Sequence, residues 1–149
     1  MMHLKVGDRA PDFNIPDEKG NLHSLNQYKG KKLVLFFYPK ASTPGCTAEA
    51  CNLRDNYNAL LARGFVVLGI SADDQLKLQK FIDKQELPFS LLSDVEKIML
   101  NDYGVWGPKK FMGKEYDGIH RTTFIINEEG VITDIIDKVK TKEHYNQIM

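Results

Sequence analysis

Three runs of consecutive apolar residues constrain the fold of this chain more than any other feature. They span residues 33–38, 65–70 and 124–126, without alternation of polar and apolar side chains. An unbroken apolar run of this kind is typical of a strand that is covered on both faces, as in the centre of an α/β sheet. The sequence therefore predicts central strands with other structure packed on both sides of the sheet.

Helical segments separate these strands. Residues 47–63 place an apolar stripe on one helical face, from Leu53 to Leu61, which predicts a single helix there. Two further helices are predicted over residues 74–84 and 95–103, on either side of a short strand. A strand, a helix of this length and a second strand form a βαβ unit, which should be right-handed.

The edges of the sheet are predicted to be antiparallel. Residues 12–15 and 22–25 form an N-terminal β-hairpin, and residues 131–136 return beside the third apolar run. Residues 107–110 and 113–118 contain glycine, proline and lysine and are predicted to be loops. The predicted fold class is therefore α/β, with a mostly parallel core and antiparallel edges.

Size and charge exclude several classes of protein. The 149 residues fit one domain, 1–149, and 20 basic against 20 acidic residues give a net charge of zero. A neutral chain lacks the basic footprint of a nucleic-acid binder or of a membrane-surface protein. No apolar run approaches the roughly 20 residues of a transmembrane helix, and the first residues contain no long apolar leader. With only Cys46 and Cys51, a disulfide-stapled secreted domain is not indicated, so we expect a soluble cytoplasmic protein.

The two cysteines stand in the most informative segment, residues 38–51. This segment begins where the first predicted strand ends and continues into a helix, which is where α/β proteins collect their sites. The start of a helix favours an anion, and a cysteine placed there can have its pKa lowered to about 3.5–7.5. Cys46 is therefore a candidate reactive thiolate in a loop restricted by Pro39 and Pro44. Thr43 can donate a hydrogen bond to this thiolate or to an oxygen bound beside it.

Each of these residues also has a purely structural interpretation. Cys46 can be a small buried hydrophobe, and Cys51 an inert cysteine in the middle of an amphipathic helix. Thr43 can stabilise the turn, and Pro39 can end the strand. Local context alone leaves these alternatives open.

The same segment closely resembles the active-site segment of the Q-type peroxiredoxins, also called bacterioferritin comigratory proteins. That family's pattern of Pro, three residues, Thr, two residues and Cys corresponds to Pro39, Thr43 and Cys46. Residues 7–13 resemble the opening of the family, and residues 118–124 resemble the segment that carries its distal active-site arginine. The resemblance extends over nearly the whole chain.

The resemblance implies a thioredoxin-like fold, with a central mixed sheet flanked by helices, and the reduction of hydroperoxides. Cys46 would be the peroxidatic cysteine and would be oxidised to a sulfenic acid. Thr43 and the backbone N–H of Cys46 would bind the peroxide oxygens. Arg121 would stabilise the thiolate and the developing charge, and Pro39 would shield the sulfur. Cys51 would resolve the sulfenic acid through an intramolecular disulfide.

The resemblance also implies the partners. Thioredoxin or a similar dithiol protein would reduce the disulfide, no metal or organic cofactor would be needed, and the protein would act as a monomer or a weak homodimer. Glu49, one turn into the helix, is a further candidate that could orient Arg121. His3, His23 and His144 show no partner in the sequence, so we expect them to face solvent.

Three other functions are compatible with parts of the sequence. A thioredoxin-like disulfide oxidoreductase would carry two residues between its cysteines, whereas four separate Cys46 from Cys51. A redox sensor or holdase would use the same cysteine pair to change a binding surface. An inert structural domain would contain thiols that react slowly with hydrogen peroxide.

Overall fold

The computed structural model describes residues 3–149; Met1 and Met2, which the predicted single domain includes, lie outside it. The strands, in chain order, are β1 (Asn14–Pro16), β2 (Leu22–Ser24), β3 (Lys32–Phe37), β4 (Phe65–Ser71), β5 (Ser90–Ser93), β6 (Trp106–Phe111), β7 (Lys114–Ile119), β8 (Thr122–Ile126) and β9 (Ile132–Ile136). The helices are α1 (Pro44–Asp55), α2 (Tyr57–Ala62), α3 (Gln75–Gln85), α4 (Ile98–Asp102) and α5 (His144–Ile148). Among residues 3–149, every helix is too short or too polar to span a bilayer.

Five of the strands form a central sheet in the order β5-β4-β3-β8-β9. β3 pairs in parallel with β4, and β4 with β5, whereas β8 runs antiparallel to both β3 and β9. β1 and β2 form the antiparallel hairpin near the N-terminus. These pairings confirm the predicted α/β class, the central mixed sheet and the N-terminal hairpin.

The central strand β3 is buried on both faces because its side chains alternate between two hydrophobic clusters. Leu35 and Phe37 pack on one side of the sheet, with the buried side chains of α4 and the N-terminal hairpin. Val34 and Phe36 pack on the other side, with the buried side chains of α1, α3 and α5. Cys46 belongs to this second cluster, so the core itself carries the candidate reactive sulfur.

The prediction of one helix over residues 47–63 is wrong, because the structure has two helices that meet at Asn56. Asn56 leaves helical geometry, with φ −113° and ψ 13°. Its side-chain Nδ2 donates a hydrogen bond of 2.8 Å to the carbonyl of Asn52. Such a side-chain bond competes with the hydrogen-bond ladder of a helix. Leu61, which the single-helix prediction placed on the apolar face, is exposed.

The predicted loops at residues 107–110 and 113–118 are also wrong, because β6 and β7 form an antiparallel hairpin there. Met112 and Gly113 between the strands both have positive φ, 52° and 80°, as a tight two-residue hairpin turn requires. Most side chains of β7 are exposed. The hairpin therefore lacks the apolar alternation by which a sequence reveals a strand.

The expectation that the histidines face solvent is confirmed for His3 and wrong for His23 and His144. His23 is buried, and its Nε2 lies 2.8 Å from Oδ2 of Asp17. Its Nδ1 is hydrogen-bonded to the hydroxyl of Tyr28. The N-terminal hairpin brings Asp17 and His23 together, and a buried imidazole with both nitrogens bonded needs no solvent.

Candidate active site

Cys46 lies in the first turn of α1, which follows the central strand β3. Thr43 precedes the helix with an extended backbone, and Pro44 occupies the first helical position, where a proline has no hydrogen bond to lose. Cys46 is only 1% exposed. Because close-packed side chains surround it, the position of its sulfur is fixed by the core.

The first turn of α1 presents hydrogen-bond donors beside Cys46. The first helical hydrogen bond runs from the N–H of Thr47 to the carbonyl of Thr43, at 2.9 Å. The N–H groups of Gly45 and Cys46 precede that bond, so the helix offers them no carbonyl acceptor. These donors and the positive end of the helix dipole favour negative charge on the sulfur and on oxygen atoms bound beside it.

Arg121 connects Cys46 to Glu49. Its Nη2 donates a hydrogen bond of 3.4 Å to Sγ of Cys46, and its Nη1 donates one of 2.7 Å to Oε1 of Glu49. Although partial burial opposes the charge of the guanidinium, the neighbouring Cys46 and Glu49 raise the pKa of Arg121. The structure therefore brings Arg121 to Cys46, as predicted, with Glu49 placed to orient it.

The antiparallel pairing of β8 with β3 explains why Arg121 reaches Cys46. Phe37, at the end of β3, lies opposite Thr122, at the start of β8. Arg121 directly precedes β8. It therefore lies beside the carboxyl end of β3, from which the chain continues to α1. Gly45 leaves room for the guanidinium, since a Cβ there would lie 3.2 Å from Nη2 of Arg121.

Glu49 is fully buried, and its two oxygens have different surroundings. Burial raises the pKa of Glu49 to about 7, although the nearby Arg121 acts in the opposite direction. Oε1 accepts the hydrogen bond from Arg121. Oε2 lies 3.3 Å from Nε2 of His144 but makes no regular hydrogen bond within the described part of the chain.

His144 belongs to the site and does not face solvent as the sequence suggested. It is fully buried on α5, with Nε2 2.8 Å from Oγ1 of Thr123 and Nδ1 3.3 Å from Oε1 of Gln147. Burial lowers the pKa of His144 to about 4. No sequence signal pairs it with Glu49, because the C-terminal helix meets α1 only in the tertiary structure.

The hydroxyl of Thr43 does not donate to the sulfur of Cys46, which was one of the bonds that the sequence allowed. Its hydroxyl donates a hydrogen bond of 2.7 Å to the carbonyl of Lys40. A hydroxyl has one proton and two lone pairs, so Thr43 can still accept a hydrogen bond from a bound molecule. Pro39 is partly buried in the loop between β3 and α1.

Asp73 holds that loop in place, a role that the sequence analysis does not predict. Its Oδ2 accepts hydrogen bonds from the backbone N–H of Ala41, at 2.8 Å, and from Oγ of Ser71, at 3.0 Å. The next loop residue, Ser42, has a positive φ of 65°, a conformation that needs support from its surroundings. The available signal was the position of Asp73 just beyond the carboxyl end of β4, a strand that neighbours β3.

Cys51 lies on the same helix as Cys46, and both are free thiols. Its partly buried Sγ donates a hydrogen bond of 3.4 Å to Oε1 of Gln85. Five residues along a helix place two Cα atoms about 8.7 Å apart and turn their side chains about 140° from each other. A disulfide requires a Cα separation of no more than about 7 Å. The intact α1 therefore keeps the two sulfurs apart.

An open cleft of about 600 Å³ reaches Arg121 from the surface, lined also by Pro108, Lys109 and His120. Nζ of Lys109 donates a hydrogen bond of 2.8 Å to the carbonyl of Ile119. Burial and the charge of Arg121 lower the pKa of Lys109. Between residues 3 and 149, no three or more His, Cys, Asp and Glu side chains are grouped so as to hold a metal ion.

Known proteins share both the sequence and the fold. Residues 6–135 match the AhpC/TSA family. Peroxiredoxin Bcp of Escherichia coli is 47% identical over 149 residues, which cover 100% of this chain and 96% of that protein. Peroxiredoxin Bcp of Bacillus subtilis is 45% identical over 143 residues, which cover 96% of this chain and 91% of that protein.

Solved structures agree with these relatives. The bacterioferritin comigratory protein of Xanthomonas campestris, described for its alkyl peroxide reduction activity, has a TM-score of 0.88 and 30% identity, covering 99% of this chain and 94% of that chain. BcpB of Mycobacterium tuberculosis has a TM-score of 0.86 and 34% identity, and the match covers 97% of this chain and 94% of that chain. With a buried cysteine at a helix start and an arginine on its sulfur, this chain belongs to the AhpC/TSA family and is a peroxiredoxin of the Bcp or Q type, a thiol peroxidase.

Proposed function

We propose that Cys46 is the peroxidatic cysteine and that Arg121 stabilises both its thiolate and the transition state of peroxide reduction. The observation that carries this assignment is the pair of hydrogen bonds from one guanidinium to Sγ of Cys46 and Oε1 of Glu49. The thiolate attacks one oxygen of the hydroperoxide, and an S–O bond forms as the O–O bond breaks. The leaving alkoxide or hydroxide takes up a proton, so the products are a sulfenic acid and an alcohol or water.

The surrounding groups bind and orient the hydroperoxide. The N–H of Cys46 and the guanidinium of Arg121 are preorganised donors that oppose the charge developing on the oxygens, which is how such donors accelerate a reaction. Thr43, whose own proton is donated to Lys40, accepts a hydrogen bond from the hydroperoxide O–H. Pro39 shields the sulfur from water, a role that its partial burial in the adjoining loop supports.

Cys51 is the resolving cysteine in this proposal. Its thiol attacks the sulfur of the Cys46 sulfenic acid, the S–S bond forms, and water leaves. Because α1 holds the two residues apart, its first turns open before the bond closes. The partial exposure of Cys51 and its weak sulfur hydrogen bond to Gln85 support an easy release of this side chain.

A thioredoxin-type dithiol protein completes the cycle by thiol–disulfide exchange. The opened segment would present both sulfurs to that protein. We also propose that the enzyme acts in the cytoplasm, as a monomer or weak homodimer, without a nucleic-acid or membrane partner. The net charge of zero supports the absence of a nucleic-acid or membrane partner, and the cysteine count of two does not fit a disulfide-stapled secreted domain.

Stopped-flow measurement of peroxide consumption tests the assignment. The pre-reduced protein alone should consume one equivalent of hydroperoxide rapidly, and added thioredoxin should make the reaction catalytic. Cys46→Ser, which retains Cys51, is the matched control and should consume none. Peroxide consumption by Cys46→Ser at the rate of the unmodified protein would show that another group is the nucleophile.

A further inference from the structure

The two oxygens of the buried Glu49 carboxyl differ in their hydrogen bonding. Oε1 is hydrogen-bonded to Arg121, whereas Oε2 has no regular hydrogen bond among the described residues. Leaving a buried polar atom unpaired is unfavourable, and more so for a charged group. The titratable nitrogen that faces Oε2 is Nε2 of His144, at 3.3 Å. The location of protons on this imidazole therefore decides how the carboxyl is held.

Gln147 determines which nitrogen of His144 carries a proton. Its side-chain Nε2 donates to the carbonyl of Lys138, at 2.9 Å, and its Oε1 accepts from the N–H of Lys140, at 2.8 Å. These two bonds fix the orientation of the amide, so an oxygen faces Nδ1 of His144. Nδ1 must then be the donor. In a neutral imidazole Nε2 therefore carries no proton and offers one lone pair, which Oγ1 of Thr123, at 2.8 Å, and Oε2 of Glu49, at 3.3 Å, both approach.

A bare Nε2 beside an ionised Oε2 would place two electron-rich atoms in contact inside the core. One proton on Oε2 removes that repulsion and gives Oε2 the partner that it lacks. Because Nε2 has a single lone pair, this proton takes the place of the Thr123 hydroxyl proton there. The carboxyl is the favoured carrier of this proton, because burial raises the pKa of Glu49 to about 7 and lowers that of His144 to about 4.

We propose that Glu49 and His144 share one proton between Oε2 and Nε2, and that His144 is thereby a positioning residue for Arg121. The shared proton keeps the carboxyl turned so that Oε1 accepts from Arg121. It also leaves the carboxyl neutral, so that the charge of Arg121 acts on the sulfur of Cys46 without being offset. The inference rests on the proposed roles of Cys46 and Arg121.

The other ionisable groups around the pair do not supply this proton. Arg121 and Cys46 belong to the reacting site itself. Burial raises the pKa of Tyr38 well above its ordinary value, so this residue stays neutral. Lys109 lies against Arg121 and donates to a backbone carbonyl.

The docking of α5 on α1 sets the position of His144. Oδ1 of Asn52, on α1, accepts from the N–H of Tyr145, at 2.7 Å. Nδ2 of Asn52 donates to the carbonyl of Lys142, at 3.0 Å. The same helix that carries Cys46 and Glu49 thus holds the segment that carries their positioning residue.

Substitutions at His144 separate positioning from packing. His144→Leu removes the partner of Oε2, and we expect the rate of sulfenic acid formation to fall about 10-fold or more, because misplaced catalytic groups lose rate steeply. His144→Gln retains an N–H donor that holds Oε2 in place but leaves the carboxylate ionised, so its rate should lie between those of His144→Leu and the wild type. Ile148→Val, a small packing change on the same helix, should leave the rate unchanged.

Infrared spectroscopy with isotope-labelled glutamate detects the proton itself. At a pH well above the ordinary glutamate pKa of 4.5 but below the pKa of about 7 of Glu49, the protein should show one carboxylic acid band, absent from Glu49→Gln. His144→Gln should lose this band, because its amide donor favours the ionised carboxylate. A wild-type rate in His144→Leu, or a band that is missing from the wild type or persists in His144→Gln, would overturn the inference. If the reduced wild-type protein does not consume peroxide, the proposed roles of Cys46 and Arg121 are wrong instead.

Discussion

Two single substitutions distinguish the roles proposed for Cys46 and Cys51. Cys51→Ser should react once with hydroperoxide at the normal rate and then stop, because the sulfenic acid on Cys46 has no resolving partner. A sulfenic acid trap should label this variant stoichiometrically, whereas Cys46→Ser should take no label. If Cys51→Ser remained unlabelled and Cys46→Ser were labelled, the assignment of the two cysteines would be reversed.

In the proposed mechanism Arg121 acts through its shape as well as its charge. Arg121→Lys keeps the charge but cannot bond Sγ of Cys46 and Oε1 of Glu49 in one fixed fork. We expect the peroxide step to slow by about 10²-fold, which is typical when one preorganised donor is lost. Arg63→Lys, an exposed substitution at the end of α2, is the control and should react normally in the same stopped-flow assay. An unchanged rate in Arg121→Lys would show that charge alone suffices.

Sequence patterns reveal the reacting residues better than those that hold them. Cys46 and Arg121 stand in recognisable motifs, and the structure brings them within hydrogen-bond distance. Asp73 and His144 stand in no such motif, because each acts through a tertiary contact with a distant segment. The polar residues around His144 predict a surface position, and only the packing of α5 shows that its side chain is buried.

The spacing of the two cysteines requires α1 to open before a disulfide can form between them. Both cysteines lie within Pro44–Asp55, where helical geometry holds their Cα atoms about 8.7 Å apart. Oxidation should therefore melt part of residues 46–53, and opening a helix end is inexpensive compared with global unfolding. Hydrogen exchange should show lost protection there in the oxidised protein, with the central strand β4 unchanged as the internal control. Equal protection in both redox states, with the Cys46–Cys51 bond verified, would contradict this account.

Elements with a buried face were predictable, and elements without one were not. The runs that became β3, β4 and β8 are almost entirely apolar, so burial on both faces was legible in the sequence. The β6–β7 hairpin pairs through its backbone and exposes most of β7, so no such pattern exists. The break at Asn56 depends on one side-chain hydrogen bond, which a periodicity argument does not detect.

At the scale of the whole molecule, the buried Glu49–His144 pair makes stability depend on pH in a defined way. The raised pKa of Glu49 contributes stability below 4.5 that is lost as pH rises through about 7. The lowered pKa of His144 contributes stability above 6.5 that is lost as pH falls through about 4. Between about pH 4.5 and pH 6.5 the folded and unfolded states each bind one proton at this pair. The changes in stability with pH that the two groups cause therefore cancel.

Glu49→Gln removes one side of this balance. The free energy of unfolding of the variant should then rise with pH between about 4 and 6.5, by an amount on the order of 3 kcal/mol relative to the wild type. Urea unfolding at a series of pH values measures this difference. The exposed substitution Glu143→Gln should follow the wild-type profile. Parallel profiles for Glu49→Gln and the wild type would show that the two buried groups do not compensate each other.

In the proposed mechanism one chain carries out both the peroxide reaction and its resolution. Intact mass measurement of the reduced protein after one equivalent of hydrogen peroxide, without reducing agent, tests this most directly. We predict the loss of two hydrogen atoms, no increase to a dimeric mass, and a peptide map in which Cys46 is joined to Cys51. A disulfide-linked dimer, or a monomer that gains oxygen and forms no internal bond, would contradict the account.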